Sequence, residues 1–291
     1  MTLLDTDVSA ERLVAEDVWR ADADAHAARA QELTAAHRWR AGRGEKHPVD
    51  DFLFTYYSYK PAILRRWHPG AGVVLGGAGE RAEWRWYRPI AGGATVDTAA
   101  FLADRGQLVD AVRRLLRATI ARPPVFGCFG LHEWAMVYRD AALRHDVPLR
   151  LSPAETDAVV EASDLRCTHF DAFRFFTPDA VGRNREALTR ESQVAREQPG
   201  CLHAGMDLYK WSVKLGPLVP GELLLDAFVL ARDIRTLDMR ASPYDLTAWG
   251  YEPVAIETAE GKAEYVRHQR QFTARADAVR VRLLDALAIA A

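Results

Sequence analysis

His203 and Asp207 lie four residues apart in a stretch, Cys201 to Leu215, whose pattern predicts a helix. Both side chains therefore project from one face, with Lys210 three residues beyond Asp207. An imidazole, a carboxylate and an ammonium on one stripe can orient a water, hold an anionic substrate, or ligate a metal through the His and the Asp. The same three residues also make an ordinary hydrogen-bonded helix face. A second pair, His132 and Glu133, is adjacent in sequence, and on a helix such neighbours point about 100° apart. One can enter a pocket while the other supports it. Phe126, Phe129, Leu131, Trp134, Met136 and Val137 surround the pair, which is expected to be largely buried and to require a partner, either in catalysis or as a core ion pair with an arginine. A third group, His169 and Asp171, would share one side of an extended chain with Phe173 and Phe175, as metal ligands or as a hydrogen-bonded pair. Cys128, Cys167 and Cys201 each precede one of these histidines, which admits a zinc or iron site assembled from distant segments. Single cysteines at this spacing nonetheless lack the paired pattern of structural zinc.

A different signal lies upstream. Phe52, Phe54, Tyr56, Tyr57, Tyr59, Trp67, Trp84, Trp86 and Tyr87 are interleaved with Lys60, Arg65, Arg66, Arg81, Arg85 and Arg88. Aromatic faces stack on bases and arginines pair with phosphates, so Tyr57, Tyr59, Lys60, Arg65, Arg66, Trp67, Trp84, Trp86 and Lys210 are the candidate substrate-binding residues, for a nucleic acid or nucleoside. Many of these aromatics must also belong to a core, with arginines reaching past them to water.

The elements that must position these groups read as mostly helical. Ser9 is the expected cap of a helix running to about Arg40, and Pro61 breaks or restarts a helix after Lys60. Val73–Leu75 and Glu83–Arg88 read as a β-hairpin, because Trp84 and Trp86 alternate with Arg85. Helices are expected over Arg105–Arg122, from Gly130, from Ser152-Pro153-Ala154-Glu155 with its capping box, over Gly221–Arg240 and over Glu260–Ala290. Leu165–Phe176 reads as a strand or extended turn. The fold expected is mainly α, one α-rich domain spanning residues 1–291 with a small hairpin insert near residues 72–89.

Composition bounds the chemistry. A hydrophobic share of 49% and a charged share of 27% are those of a globular chain with a full core. The net charge of −2 argues against a whole-molecule polyanion binder, although a local basic face remains open. The N-terminal residues lack a basic and apolar leader, no membrane span is visible, and three cysteines without CxxC fit a reducing compartment. The expectation is therefore a cytoplasmic protein. GxxxxGK[ST], GxGxxG, GxSxG and HExxH are all absent from the sequence, so P-loop, Rossmann, α/β-hydrolase and zincin chemistry have no support.

The segments HPVDDFLFTYYSYKPAILRRWHPG (His47–Gly70), GCFGLHEWAMVY (Gly127–Tyr138) and PGCLHAGMDLYKWSVKLGPLVP (Pro199–Pro220), with Leu237 to Asp245, resemble an actinobacterial family commonly labelled 3-methyladenine DNA glycosylase, over about residues 45–250. The resemblance implies an N-glycosylase-like hydrolase acting on a modified base in DNA or a nucleoside, with no metal and no cofactor. Asp207, then Glu133, would stabilise the oxocarbenium-like state, while His132 and His203 orient water or the departing base. The hairpin motif of helical glycosylases is only loosely echoed, by Leu215 to Gly221 followed by Asp226. Two alternatives stand beside it: a zinc- or iron-dependent enzyme using His132, Glu133, His169, Asp171, His203 and Asp207, and a non-catalytic nucleotide-binding protein.

Overall fold

Apolar residues recur at three- and four-residue spacing along the C-terminal third of the chain, and the structure folds these stretches into three long helices packed on one another. The structure is a computed structural model and describes residues 12–140 and 146–290; Ser9 lies outside them. In chain order its helices are α1 (Glu16–Ala41), α2 (Phe52–Thr55), α3 (Pro61–Arg65), α4 (Thr98–Ile120), α5 (Leu131–Ala135), α6 (Pro153–Glu161), α7 (Phe170–Phe173), α8 (Pro178–Val181), α9 (Gln193–Arg196), α10 (Leu202–Leu215), α11 (Gly221–Arg240) and α12 (Ala259–Ile289). Strands β1 (Arg12–Val14), β2 (Val73–Gly76), β3 (Tyr87–Ile90) and β4 (Gly93–Val96) form one small sheet. The protein is mainly α, as expected.

Helices α10, α11 and α12 make the centre. Gly216, at φ +53°, and Pro217 end α10, and the short link to Gly221 turns the chain back so that α11 returns antiparallel beside it. Gly205 lets three helices meet closely: a Cβ there would stand 3.1 Å from Ile234 of α11 and 3.4 Å from Ala276 of α12. The start of α10 thus lies against the end of α11, which places His203 beside Asp238. Helix α6 begins as its sequence dictates: Ser152 accepts from the Glu155 amide, Glu155 accepts from the Ser152 amide, and Pro153 occupies the first turn.

Three local expectations are corrected, the first being the helix start: Arg12–Val14 pair with β2 as strand β1, and α1 begins only at Glu16. The hairpin of Val73–Leu75 with Glu83–Arg88 does not form. Gly79–Glu83 is a turn of 3-10 helix, and Trp86 takes φ +63°, so the Trp84–Trp86 alternation is not that of a strand. The true hairpin joins β3 to β4 across Ala91-Gly92, with Ile90 opposite Gly93 and Gly92 at φ +78°. β2 then pairs antiparallel with β4 and parallel with β1, so the sheet is four-stranded and mixed. Leu165–Phe176 is likewise not a strand. Beyond an isolated bridge between Leu165 and Asn184 it turns into α7, with His169 preceding the helix and Asp171 in its first turn.

Candidate functional site

Three imidazoles arrive at the centre from the starts of three helices. His132 comes from α5, entered through Phe129 at φ +50° and Gly130 at φ +75°. A left-handed phenylalanine is a strained conformation held by its surroundings, and Phe129 packs near Tyr265 of α12, their ring centroids 6.5 Å apart. His203 comes from the first turn of α10 and His169 from the residue before α7. The His132 and His203 rings lie 4.3 Å apart and nearly perpendicular, and His169 stacks on the other side of His203 at 5.4 Å. The three motifs that looked separate in sequence share one buried cluster.

Carboxylates flank this row. Asp238, on the last turns of α11 and fully buried, accepts from His132 Nε2 at 3.1 Å and lies 3.9 Å from His203 Nε2. Its Oδ1 stands 3.0 Å from the same His132 nitrogen yet receives no hydrogen bond. Arg235, one turn earlier, reaches Glu133 at 2.6 Å and Asp238 at 3.6 Å, and lies over the Phe52 ring. At the far side His169 is held between Glu197, 3.4 Å from Nδ1, and Asp207, 3.5 Å from Nε2. Asp207 also accepts from Tyr57 at 2.8 Å and from Lys210 at 2.5 Å. Asp171 faces Lys210 at 3.5 Å and is capped at the rim by Arg190 at 2.6 Å.

The charges explain the protonation states. Glu133, Glu197, Asp207 and Asp238 are nearly inaccessible, and the permanent cations among them are Lys210 and Arg235. Arg280 is close to Glu197 but carries its own partner, Asp277. Two negative charges remain, and a buried charge must be matched. Burial pushes His132 down, but Asp238 outweighs it and holds the imidazole well above its ordinary value. Burial is likewise overcome at His169 by Glu197 and Asp207. His203 goes the other way: burial, reinforced by His132, drives it well below. Asp238 is brought to about 2, burial notwithstanding, by His132. Asp238 thus favours a proton on His132, Glu197 and Asp207 favour one on His169, and His203 is held towards its neutral form.

A cavity of about 20 Å³ opens beside His132 and His203, walled also by Cys128, Cys167, Cys201 and Gln269. That is room for about one water. Burial raises the Cys167 and Cys201 thiols, so neither is a thiolate at neutral pH. Neither Asp207 nor Glu133 lines this cavity.

The expected substrate residues divide. Lys60, Arg66, Trp84 and Trp86 line one groove of about 740 Å³, together with Ser58 and His68. Tyr57 is buried against Asp207 and Tyr59 stacks on it, and neither lines the groove. Lys210 belongs to the cluster. Trp67 packs on Trp19 in the small core beneath the sheet, and Arg65 is exposed away from the groove lining. No sequence motif marks Asp238, Arg235 or Glu197. Arg235 and Asp238 interrupt the apolar stripe Ala227, Leu230, Ala231, Ile234 of α11, and a charged pair in such a stripe is the readable signal. Glu197 had none, because it is placed by a loop.

Comparisons with family models, with curated proteins and with solved structures find no match to this chain.

Proposed function

We propose that the chain is a metal-dependent enzyme in which His132, His203 and Asp238 hold a divalent ion that activates a water. The observation that carries this reading is the ligand geometry: one ring nitrogen of each histidine and a carboxylate oxygen of Asp238 lie within 4.8 Å of one another. Donors about 2.1 Å from one ion sit roughly 3 to 3.5 Å apart, close to the 3.1 and 3.9 Å found between Asp238 and the two imidazoles. Two histidines and one carboxylate are the donor set of open catalytic zinc and non-haem iron sites, and the adjoining cavity has room for the bound water. A dication there would take the place of the proton on His132 and add one further positive charge beside Asp238. Three thiols in the cavity wall favour a redox-inert ion such as zinc, since oxygen activation beside them would oxidise them.

Elemental analysis of the purified protein tests this. About one divalent ion per chain is expected, lost in His203→Ala. Metal-free protein that gains no thermal stability from added Zn²⁺, Mn²⁺ or Fe²⁺ would overturn it.

The groove supports a second reading, hydrolysis of an N-glycosidic bond in DNA or a nucleoside. Lys60 and Arg66 make no ion pair among the described residues, Trp84 and Trp86 are partly exposed, and Ser58 and Trp86 both adopt positive φ, a strain common at ligand sites. Asp207 would act only once Tyr57, which bonds it, moves aside. Release of free base from alkylated DNA, abolished by Asp207→Asn, is the result that would establish it; nucleotide binding without release would leave the groove a binding site.

A further inference from the structure

A second chamber, of about 290 Å³, adjoins the small cavity and shares Val125, Arg166, Cys167, Thr168 and Gln198 with it. No more than a layer of side chains separates the two spaces. Gln198 fixes that layer: its Oε1 accepts from the amides of Val125 at 2.8 Å and Gly200 at 2.7 Å. The chamber is lined by four arginines, Arg122, Arg166, Arg185 and Arg196. Arg166 and Arg185 share one carboxylate, Asp164, at 2.6 and 2.8 Å, and Arg196 pairs with Glu186 at 2.7 Å. Arg122 bonds backbone carbonyls, those of Glu197 at 2.8 Å and Val194 at 2.7 Å. Four guanidiniums thus face two carboxylates, and two positive charges are in excess. The rest of the wall, Pro123, Leu188 and Ala195 among it, is apolar.

We propose that this chamber is the substrate subsite of the metal centre and takes a small organic oxyanion with a short apolar body. The inference rests on the metal-centre reading for its catalytic meaning. Size sets the upper bound, since the volume lies at the lower end for ligand pockets. Charge selects the head group: planar guanidiniums bind carboxylate or phosphate oxygens in pairs, and the excess charge accommodates either. The apolar wall selects the body. An anion held at the arginine rim lies one side-chain layer from the ion that would activate the water, so the part of the molecule nearest Cys167 and Thr168 is the part presented for reaction.

Calorimetric titration of the full-length protein with benzoate, phenyl phosphate and neutral benzamide tests the chamber. Either anion is expected to bind, and benzamide about ten-fold or more weakly, the scale of one charge-assisted contact. The Arg166→Gln/Arg185→Gln variant is expected to lose about ten-fold or more of the anion affinity with an unchanged metal content. Both side chains are half-exposed, so this variant folds. Whichever of benzoate and phenyl phosphate binds more tightly identifies the head group. Equal affinity for benzamide, or anion affinity that survives the double substitution but vanishes with His203→Ala, overturns the proposal, because the anion would then be a metal ligand. Arginine-dependent binding to a chain that holds no metal would keep the anion site and sink the metal centre instead.

Discussion

Asp238 serves two cations at once, His132 through Nε2 and Arg235 at 3.6 Å, with no water-facing surface of its own. Replacing it by asparagine keeps the shape and removes the charge. Arg235, whose Nε and Nη2 already lack partners, would be left buried with only Glu133. Breaking a buried ion pair from one side costs about 3–5 kcal/mol, and we expect a loss of that order for Asp238→Asn in urea unfolding. A loss below about 1 kcal/mol would mean that the pair is solvated. His203 and Asp207 share a face of α10, as spacing requires, yet they serve different neighbours: His203 turns to Asp238, and Asp207 to His169, Tyr57 and Lys210. Spacing shows which residues share a helix face but not what packs against it.

At the scale of elements, the long helices were legible because apolar periodicity, caps and proline or glycine stops agree. The limits of α11 and the capping box of α6 follow directly from sequence. The sheet was not legible. β1 and β2 are far apart in sequence and three or four residues long, and an aromatic alternation stood where a positive-φ turn occurs. The links that build the site depend on close backbone approach, which composition does not reveal. Gly200 is the clearest: a Cβ there would lie 2.5 Å from the Val125 carbonyl oxygen and 3.0 Å from Gln198 Oε1. Backbone cannot yield as a side chain does, so Gly200→Ala should destabilise by about 1–3 kcal/mol. Gly205→Ala should lose less, because its Cβ meets the mobile end of Ile234 and alanine favours the helix by roughly 1 kcal/mol. Thermal melts of the two variants check the order, and a larger loss at Gly205 would refute the account.

The whole molecule carries opposed proton linkages. Burial holds His68 at about 3, where it bonds Tyr87 at 2.8 Å as a neutral ring. Between its ordinary 6.5 and about 3 the unfolded chain binds a proton that the folded chain refuses, so stability falls as pH drops across that window. Asp238 adds to the acid loss below its ordinary 3.8. In the metal-free chain His132 and His169 act oppositely: with folded values raised, their contribution is complete below 6.5 and fades as pH rises through those values. Urea midpoints from pH 7 to 4.5 should therefore decline in the wild type and decline less in His68→Gln; equal slopes would exclude His68 as the cause. The chain connectivity of His132, His203 and Asp238 has one further consequence. His203 and Asp238 sit on a single helical hairpin, whereas His132 lies 106 residues before Asp238 in the chain. Loop closure over that length costs more entropy than local pairing, so we expect the hairpin to form before the segment bearing His132 docks. An ion bridging the two would thus act after the folding barrier, slowing escape from the native state while leaving the rate of arrival unchanged.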